Sequence, residues 1–275
     1  MRWTQSGALR FLVLLSVTFL LSVAPIIFVY SAEHANVDQG STGKVACRHY
    51  EVQKEYEQRT VKIATWNMYK GKLPGWQADI AKADPSNTIF LLQEAPFNSL
   101  LSQQLSSAQY APGYISGNVQ TGVVTSADIS STLVCNLSHI EPWLRTPKAS
   151  LITSYPLKGR DENLLVANIH AVNFALGMKG FRDQINTIVK QLRKHNGPIV
   201  VGGDLNTWNK KRLRYVGNVL GQLGLKPVIF NKSEVKQFSG NSLDHIYYRG
   251  LDLLDSHVNK VESSDHNMLV AEFAI

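Results

Sequence analysis

Cysteine is scarce in this chain: Cys47 and Cys135 are the only two in 275 residues. Neither lies in a cluster with metal-ligand spacing, so a cysteine-held zinc site is excluded. No repeat of roughly 20–50 residues recurs, which excludes solenoid and propeller arrays. No low-complexity tract breaks the body. A P-loop is also missing, because "GSTGK" at residues 40–44 lacks the required spacing and reads as flexible chain. Acidic residues are absent before Glu33. "MRWTQSGALR" carries Arg2 and Arg10, and Phe11–Tyr30 then runs without any charge.

Such a run has the length of a bilayer span, about 20 residues, and exceeds the usual apolar core of a secretory signal. Bulky Tyr30 makes "VYSA" a poor cleavage site. Residues 1–32 are therefore expected to be a signal anchor, with a cleaved signal peptide as the alternative. Basic flanks stay cytoplasmic, so the body is expected on the far side of the bacterial inner membrane, in the periplasm. Secretion after cleavage and a cytoplasmic location remain open. Residues 33–59, polar and glycine-bearing, read as a linker, and residues 60–275 as a catalytic domain. In an exported chain Cys47 and Cys135 can pair as a disulfide; two unrelated thiols are the alternative.

What is present suits one globular body. The 44% hydrophobic content is enough for a packed core, and 28 basic against 21 acidic residues leave a net charge of +7. That excess suits phosphate-bearing partners, nucleic acid among them. "VKIATWNMY", "NTIFLLQEA", "GVVTSAD", "SSTLVC", "ASLITSYPL", "NLLVANIHAV", "IVVGGD", "SLDHIYYRG" and "HNMLVAEFAI" read as strands. Helices are expected at "WQADIAKA", "FNSLLSQQLSS", "FRDQINTIVKQLRKHNGP" and after Trp208. The third is the clearest, with Phe181, Ile185, Ile188, Val189 and Leu192 on one face. Strands thus outnumber helices without regular alternation. Two packed sheets with helices on their outer faces would accommodate this pattern.

Several strands end in polar residues: Asn67, Glu94, His170, Asp204 and Asp244. With Asp265 and His266 opening the last strand, they point to one shared rim pocket. In "VVGGDLNTW", alternation puts Asp204 and Asn206 on one side, and the glycines before them would let backbone and substrate approach closely.

"ATWNMYK", "FLLQEA", "ANIHAVNF", "VVGGDLNTW", "LDHIYY" and "SSDHNMLV", in this order, resemble the endonuclease/exonuclease/phosphatase superfamily, from about Val61 to the C-terminus. With its N-terminal extension the chain is similar to a bacterial branch known mainly by sequence. The resemblance implies an α+β fold of the DNase I type. This is a four-layer α/β/β/α sandwich of two mainly antiparallel sheets. It implies a phosphoester hydrolase using Mg²⁺ or Mn²⁺, with Glu94, Asn67 and Asp265 at the metal. His266 would be the general base, oriented by Asp244 as in a triad. His170 would bind the scissile phosphate or protonate the leaving group, while Asp204 and Asn206 face that phosphate. Lys148 and the run Lys210, Lys211, Arg212 and Arg214 are candidate phosphate ligands, with a solvated helix face as the alternative for the run. His245, on the opposite side of its strand, reads as structural. Abasic-site endonucleases often carry an acid two residues beyond the Asn; here Tyr69 holds that place. The leading expectation is a monomeric phosphodiesterase or nuclease. A phospholipid- or sphingomyelin-type phosphodiesterase, a phosphomonoesterase, or a silent binding module are the alternatives.

Overall fold

The computed structural model describes residues 43–173 and 177–275. The run Phe11–Tyr30 and its anchor or signal assignment lie outside the described residues. Among those described, no helix is long and apolar enough to cross a membrane.

The first half contains β1 (Val45–His49), β2 (Thr60–Asn67), α1 (Trp76–Lys82), β3 (Thr88–Pro96), α2 (Ser99–Gln104), β4 (Ala108–Ser116) and β5 (Val119–Ser126). Next come β6 (Leu133–Ile140), β7 (Pro147–Tyr155), β8 (Leu164–His170), α3 (Lys179–Leu192), β9 (Ile199–Asp204) and α4 (Lys210–Gly221). The chain closes with β10 (Lys226–Pro227), β11 (Gln237–Phe238), β12 (Asn241–Ser242), β13 (Asp244–Arg249), β14 (Asp252–Asn259) and β15 (Met268–Ala274). One sheet has the order β1-β6-β7-β8-β9-β13-β10 and the other β14-β15-β2-β3-β5-β4, while β11 and β12 form a separate ribbon. Pairing is antiparallel except for β2 with β3 and β8 with β9.

Side-chain alternation builds the layers. Ile63, Leu91 and Leu269 of one sheet meet Val166, Val200 and Ile246 of the other in the central core. The residues between them in sequence face outward. Ala64, Trp66 and Leu92 pack under Trp76 and Ile80 of α1 and Leu101 of α2. Leu165, Ala167 and Val201 pack under Phe181, Ile185, Val216 and Leu220 of α3 and α4. The result is the four-layer α/β/β/α sandwich with mainly antiparallel sheets.

The linker assignment of residues 33–59 needs correction. Val45–His49 is a strand on the edge of the first sheet, and Cys47 is both the direct partner of Cys135 and disulfide-bonded to it. Tyr56 is buried in the central core and donates to Asn87. The body therefore includes Val45 and does not begin at residue 60. A short polar strand on an edge carries no alternating apolar face, so its sequence looks like linker.

Candidate active site

Register sets the rim. His170 lies beside Asp204 across the parallel pair β8–β9, and Asp204 lies opposite Asp244 across β9–β13. Three neighbouring strands thus deliver three polar side chains at one edge. Asn67 closes the gap from the other sheet, its Nδ2 donating to Asp204 Oδ2 at 3.1 Å. The loop ahead of β15 brings in His266. Trp66 Nε1 holds its carbonyl, while Ser264 Oγ accepts from its backbone N–H and donates to the Asn67 carbonyl.

His266 Nδ1 is 2.8 Å from Asp244 Oδ2, and both residues are buried. Burial opposes a charge on the ring, yet Asp244, through its own charge and this hydrogen bond, outweighs it. Asp204 and Asp265 add to the effect, and the His266 pKa rises to about 9. Asp204 moves the same way for a different reason. Burial first, and the Asp244 charge second, raise its pKa to about 6.

Across the pocket, Glu94 has φ +47 at a bulge in the β3–β5 pairing, a conformation that turns its carboxylate off the sheet. Lys70 Nζ donates to Glu94 Oε2, and Tyr114 Oη donates to Oε1 at 3.2 Å. Lys148 Nζ is 2.8 Å from His170 Nε2. An ammonium has no acceptor, so the imidazole nitrogen must accept this bond. Burial, then the Lys148 charge, hold the His170 pKa well below its ordinary value. His170 Nε2 also lies 3.9 Å from Glu94 Oε1 and 3.8 Å from Asp204 Oδ2, which makes it the centre of the pocket.

Several expected roles do not survive this geometry. Asp265 is exposed and paired with Lys236 at 3.1 Å, away from the buried carboxylates, so it is not placed as a metal ligand. The Asn67 amide oxygen accepts from Tyr69 N–H and its nitrogen donates to Asp204, so Asn67 orients Asp204 at the rim of the pocket. Asn206, at φ +47, donates a side-chain N–H to the Ala171 carbonyl, and its backbone N–H donates to Asp204 Oδ1. Arg212 is fully buried between the Phe181 and Trp208 rings. It donates to the carbonyls of Val172, Asn173 and Asn206, so it is no surface phosphate ligand. Lys210, Lys211 and Arg214 are exposed on α4. The glycines serve the fold: a Cβ at Gly203 (φ +144) would lie 2.0 Å from the Ile169 carbonyl oxygen, and one at Gly202 would lie 2.7 Å from Leu91. His245 bonds Thr207 and Ser242 on the far side of its strand. Two members of the pocket went unassigned by sequence reasoning. Lys70 stands inside "ATWNMYK", but no spacing rule distinguishes it from a surface lysine, and Tyr114 carries no signal at all.

The donor set fits a hard divalent cation. Asp244 Oδ1 is buried and accepts no hydrogen bond among the described residues. Asp204, Asp244 and His266 offer ligand atoms within 4.8 Å of one another. A protonated imidazole has no lone pair to give, so with His266 charged the available donors are the carboxylates of Asp204 and Asp244, with Glu94 across the pocket. Oxygen donors of this kind suit Mg²⁺ or Mn²⁺.

Comparison with known proteins agrees with this architecture. The chain is 33% identical over 218 residues to a UPF0294 protein of Vibrio vulnificus strain YJ016, covering 78% of this chain and 76% of that one. It is 30% identical over 274 residues to a UPF0294 protein of Vibrio parahaemolyticus, covering 95% and 97%. Among solved structures it resembles an endonuclease/exonuclease/phosphatase from Bacteroides vulgatus, with a TM-score of 0.59 at 12% identity over 79% of this chain and 100% of that chain. It also resembles ANGEL2, a 2',3'-cyclic phosphatase, with a TM-score of 0.59 at 15% identity over 84% and 98%. These likenesses carry the fold. The sequence profile of the Endonuclease/Exonuclease/phosphatase family matches residues 64–266, from β2 to the histidine held by Asp244, and the chain belongs to that family of phosphoester hydrolases.

Proposed function

We propose that the chain is a divalent-metal-dependent phosphodiesterase. The observation that carries this reading is the buried 2.8 Å contact of His266 Nδ1 with Asp244, which leaves Nε2 for a proton from water. In its neutral form His266 takes that proton as the water oxygen bonds to phosphorus in line with the leaving group. The ester P–O bond breaks and its electron pair stays on the leaving oxygen, which is then protonated. Lys148, hydrogen-bonded to His170, would supply that proton. Asp244 holds the ring and stabilises the imidazolium. Asp204 and Asp244 on one side of the pocket, or Glu94 on the other, would hold a divalent ion, which would neutralise phosphoryl oxygens and, as a nearby positive charge, lower the His266 pKa.

Nucleic acid is the favoured substrate, because Lys210, Lys211 and Arg214 are exposed at the start of α4, five residues or fewer beyond Asn209. A second reading, hydrolysis of lipid headgroups, is supported by exposed Trp143 and Leu144 in the turn that leads into β7 and Lys148. The apolar run Phe11–Tyr30 would hold either activity at a bilayer, with the catalytic domain exported.

The test uses the full chain in detergent with Mg²⁺ or Mn²⁺. DNA, RNA, phospholipid vesicles, a phosphomonoester and bis-p-nitrophenyl phosphate are compared. Diester hydrolysis is expected, abolished by chelator and reduced at least about 100-fold by His266→Ala. Changing Lys210, Lys211 and Arg214 to Gln should flatten the salt dependence on DNA and spare the small diester. No turnover of any diester, or an unimpaired His266→Ala, would reject the reading. A vesicle-only activity would select the lipid alternative.

A further inference from the structure

The ion pair between Lys70 and Glu94 uses the carboxylate that a divalent ion would need. Both side chains are largely shielded, with relative exposures of 15% and 12%. The turn that makes this contact is unusual: Tyr69, Lys70 and Gly71 have φ of +49, +65 and +63 in succession. Glu94 is itself left-handed at +47. Non-glycine residues in that region are strained and persist where the surroundings enforce them. A surface ion pair needs no such arrangement.

A second cation lies close by. Lys70 Nζ is 5.8 Å and Lys148 Nζ 5.6 Å from the centre of the Tyr114 ring, whose hydroxyl donates to Glu94. Glu94 therefore stands among two ammonium groups and a phenol. If a divalent ion took Glu94, Lys70 would lose its counter-charge while remaining shielded from water. An unpaired charge in such a place is costly. An anion arriving with the ion would remove that cost.

We propose that Lys70 is a substrate-binding residue that exchanges Glu94 for a phosphoryl oxygen when a divalent ion occupies Glu94, so that ion and phosphate bind cooperatively. The inference rests on the metal-dependent reading above and deepens it. Lys70 holds the empty site charge-balanced, keeps the ion weakly bound alone, and makes phosphate the ligand that completes the site. The coupling is reciprocal, as linkage demands.

The experiment measures Mn²⁺ affinity of the full chain from the electron paramagnetic resonance of free Mn²⁺, with and without inorganic phosphate. In the wild type, phosphate should tighten Mn²⁺ by about tenfold, within the usual range of coupling between sites. In Lys70→Met, Mn²⁺ should bind about tenfold tighter without phosphate, and phosphate should add little. Lys70→Gln provides a second neutral variant if Met disturbs folding, and Lys70→Arg should keep the wild-type coupling. Unchanged or weaker Mn²⁺ binding in the folded neutral variants would overturn the proposal, as would undiminished coupling to phosphate. A wild type that shows the coupling but hydrolyses no diester would sink only the activity reading. One that turns over with Lys70-independent Mn²⁺ binding would sink only this one, and a wild type that binds no Mn²⁺ would sink both.

Discussion

Lys148 places its ammonium 2.8 Å from Nε2 of His170, and that contact fixes His170 as an acceptor at the centre of the pocket. The proton-carrying group at this edge is therefore the lysine. Lys148→Met is expected to lower kcat on a diester by roughly 10²–10³-fold, the range for losing one donor to developing charge. KM should change much less. Steady-state kinetics on bis-p-nitrophenyl phosphate check this, and a variant that raises only KM would make Lys148 a simple binding group.

Arg212 ties the segment after β8 to the turn after β9 through three backbone carbonyls. Lysine cannot reach all three, and each buried acceptor left unpaired costs roughly 1–3 kcal/mol. Arg212→Lys should therefore lose on the order of 3 kcal/mol in urea unfolding. A loss below about 0.5 kcal/mol, the size of an ordinary surface change, would contradict the buried placement.

The disulfide closes 88 residues of chain between β1 and β6. Replacing Cys47 and Cys135 by Ser should cost about 2–4 kcal/mol. The catalytic rate should hold, because β1 lies three positions from β8 in the sheet order. Thermal melts with and without reductant, alongside activity, provide the check. Equal melting of oxidised and reduced protein would count against the bridge.

His139 on β6 is 3% exposed, and burial lowers its pKa from 6.5 to about 4. Its folded pKa lies below its unfolded one, so the unfolded chain binds the proton first. The stability it confers is full above pH 6.5 and is lost as pH falls toward 4. Between pH 7.5 and 5 this amounts to about 2 kcal/mol. His139→Leu should lose that much less stability than the wild type over the same interval in urea titrations. Parallel pH profiles would show that the ring is not buried as described. His170, His195 and His245 are lowered in the same direction and are common to both proteins.

Much of this molecule is written locally. Alternation in "VKIATWNMY" and the continuous apolar run in "NTIFLLQEA" marked two central strands, because a strand buried between layers must place apolar residues on its faces. The five-residue stripe of α3 marked a helix lying on a sheet, and all five residues are buried in the structure. Polar endings at Asn67, Glu94, His170 and Asp204 pointed to one rim, since a carboxylate at a buried strand end needs a partner; Asp244, expected as another ending, instead opens β13 and reaches the same rim opposite Asp204. Edge strands were illegible for the opposite reason: β1 and β14 are half exposed and carry mixed residues that serve equally in a loop.

Tertiary structure decided what each polar group does. Arg212 belongs to a basic run, and only helix packing against Phe181 and Trp208 removes it from that run's exposed face. Asp265 and His266 are neighbours in sequence, yet the loop buries one and exposes the other to Lys236. Lys70, from the turn after β2, and Tyr114, from within β4, reach Glu94 across 24 and 20 residues of chain. Sequence sets which faces are apolar, because burial depends on each residue's own chemistry and its spacing. Charge pairing depends on distance in space, and the packed sheets with the loops at their rim set those distances.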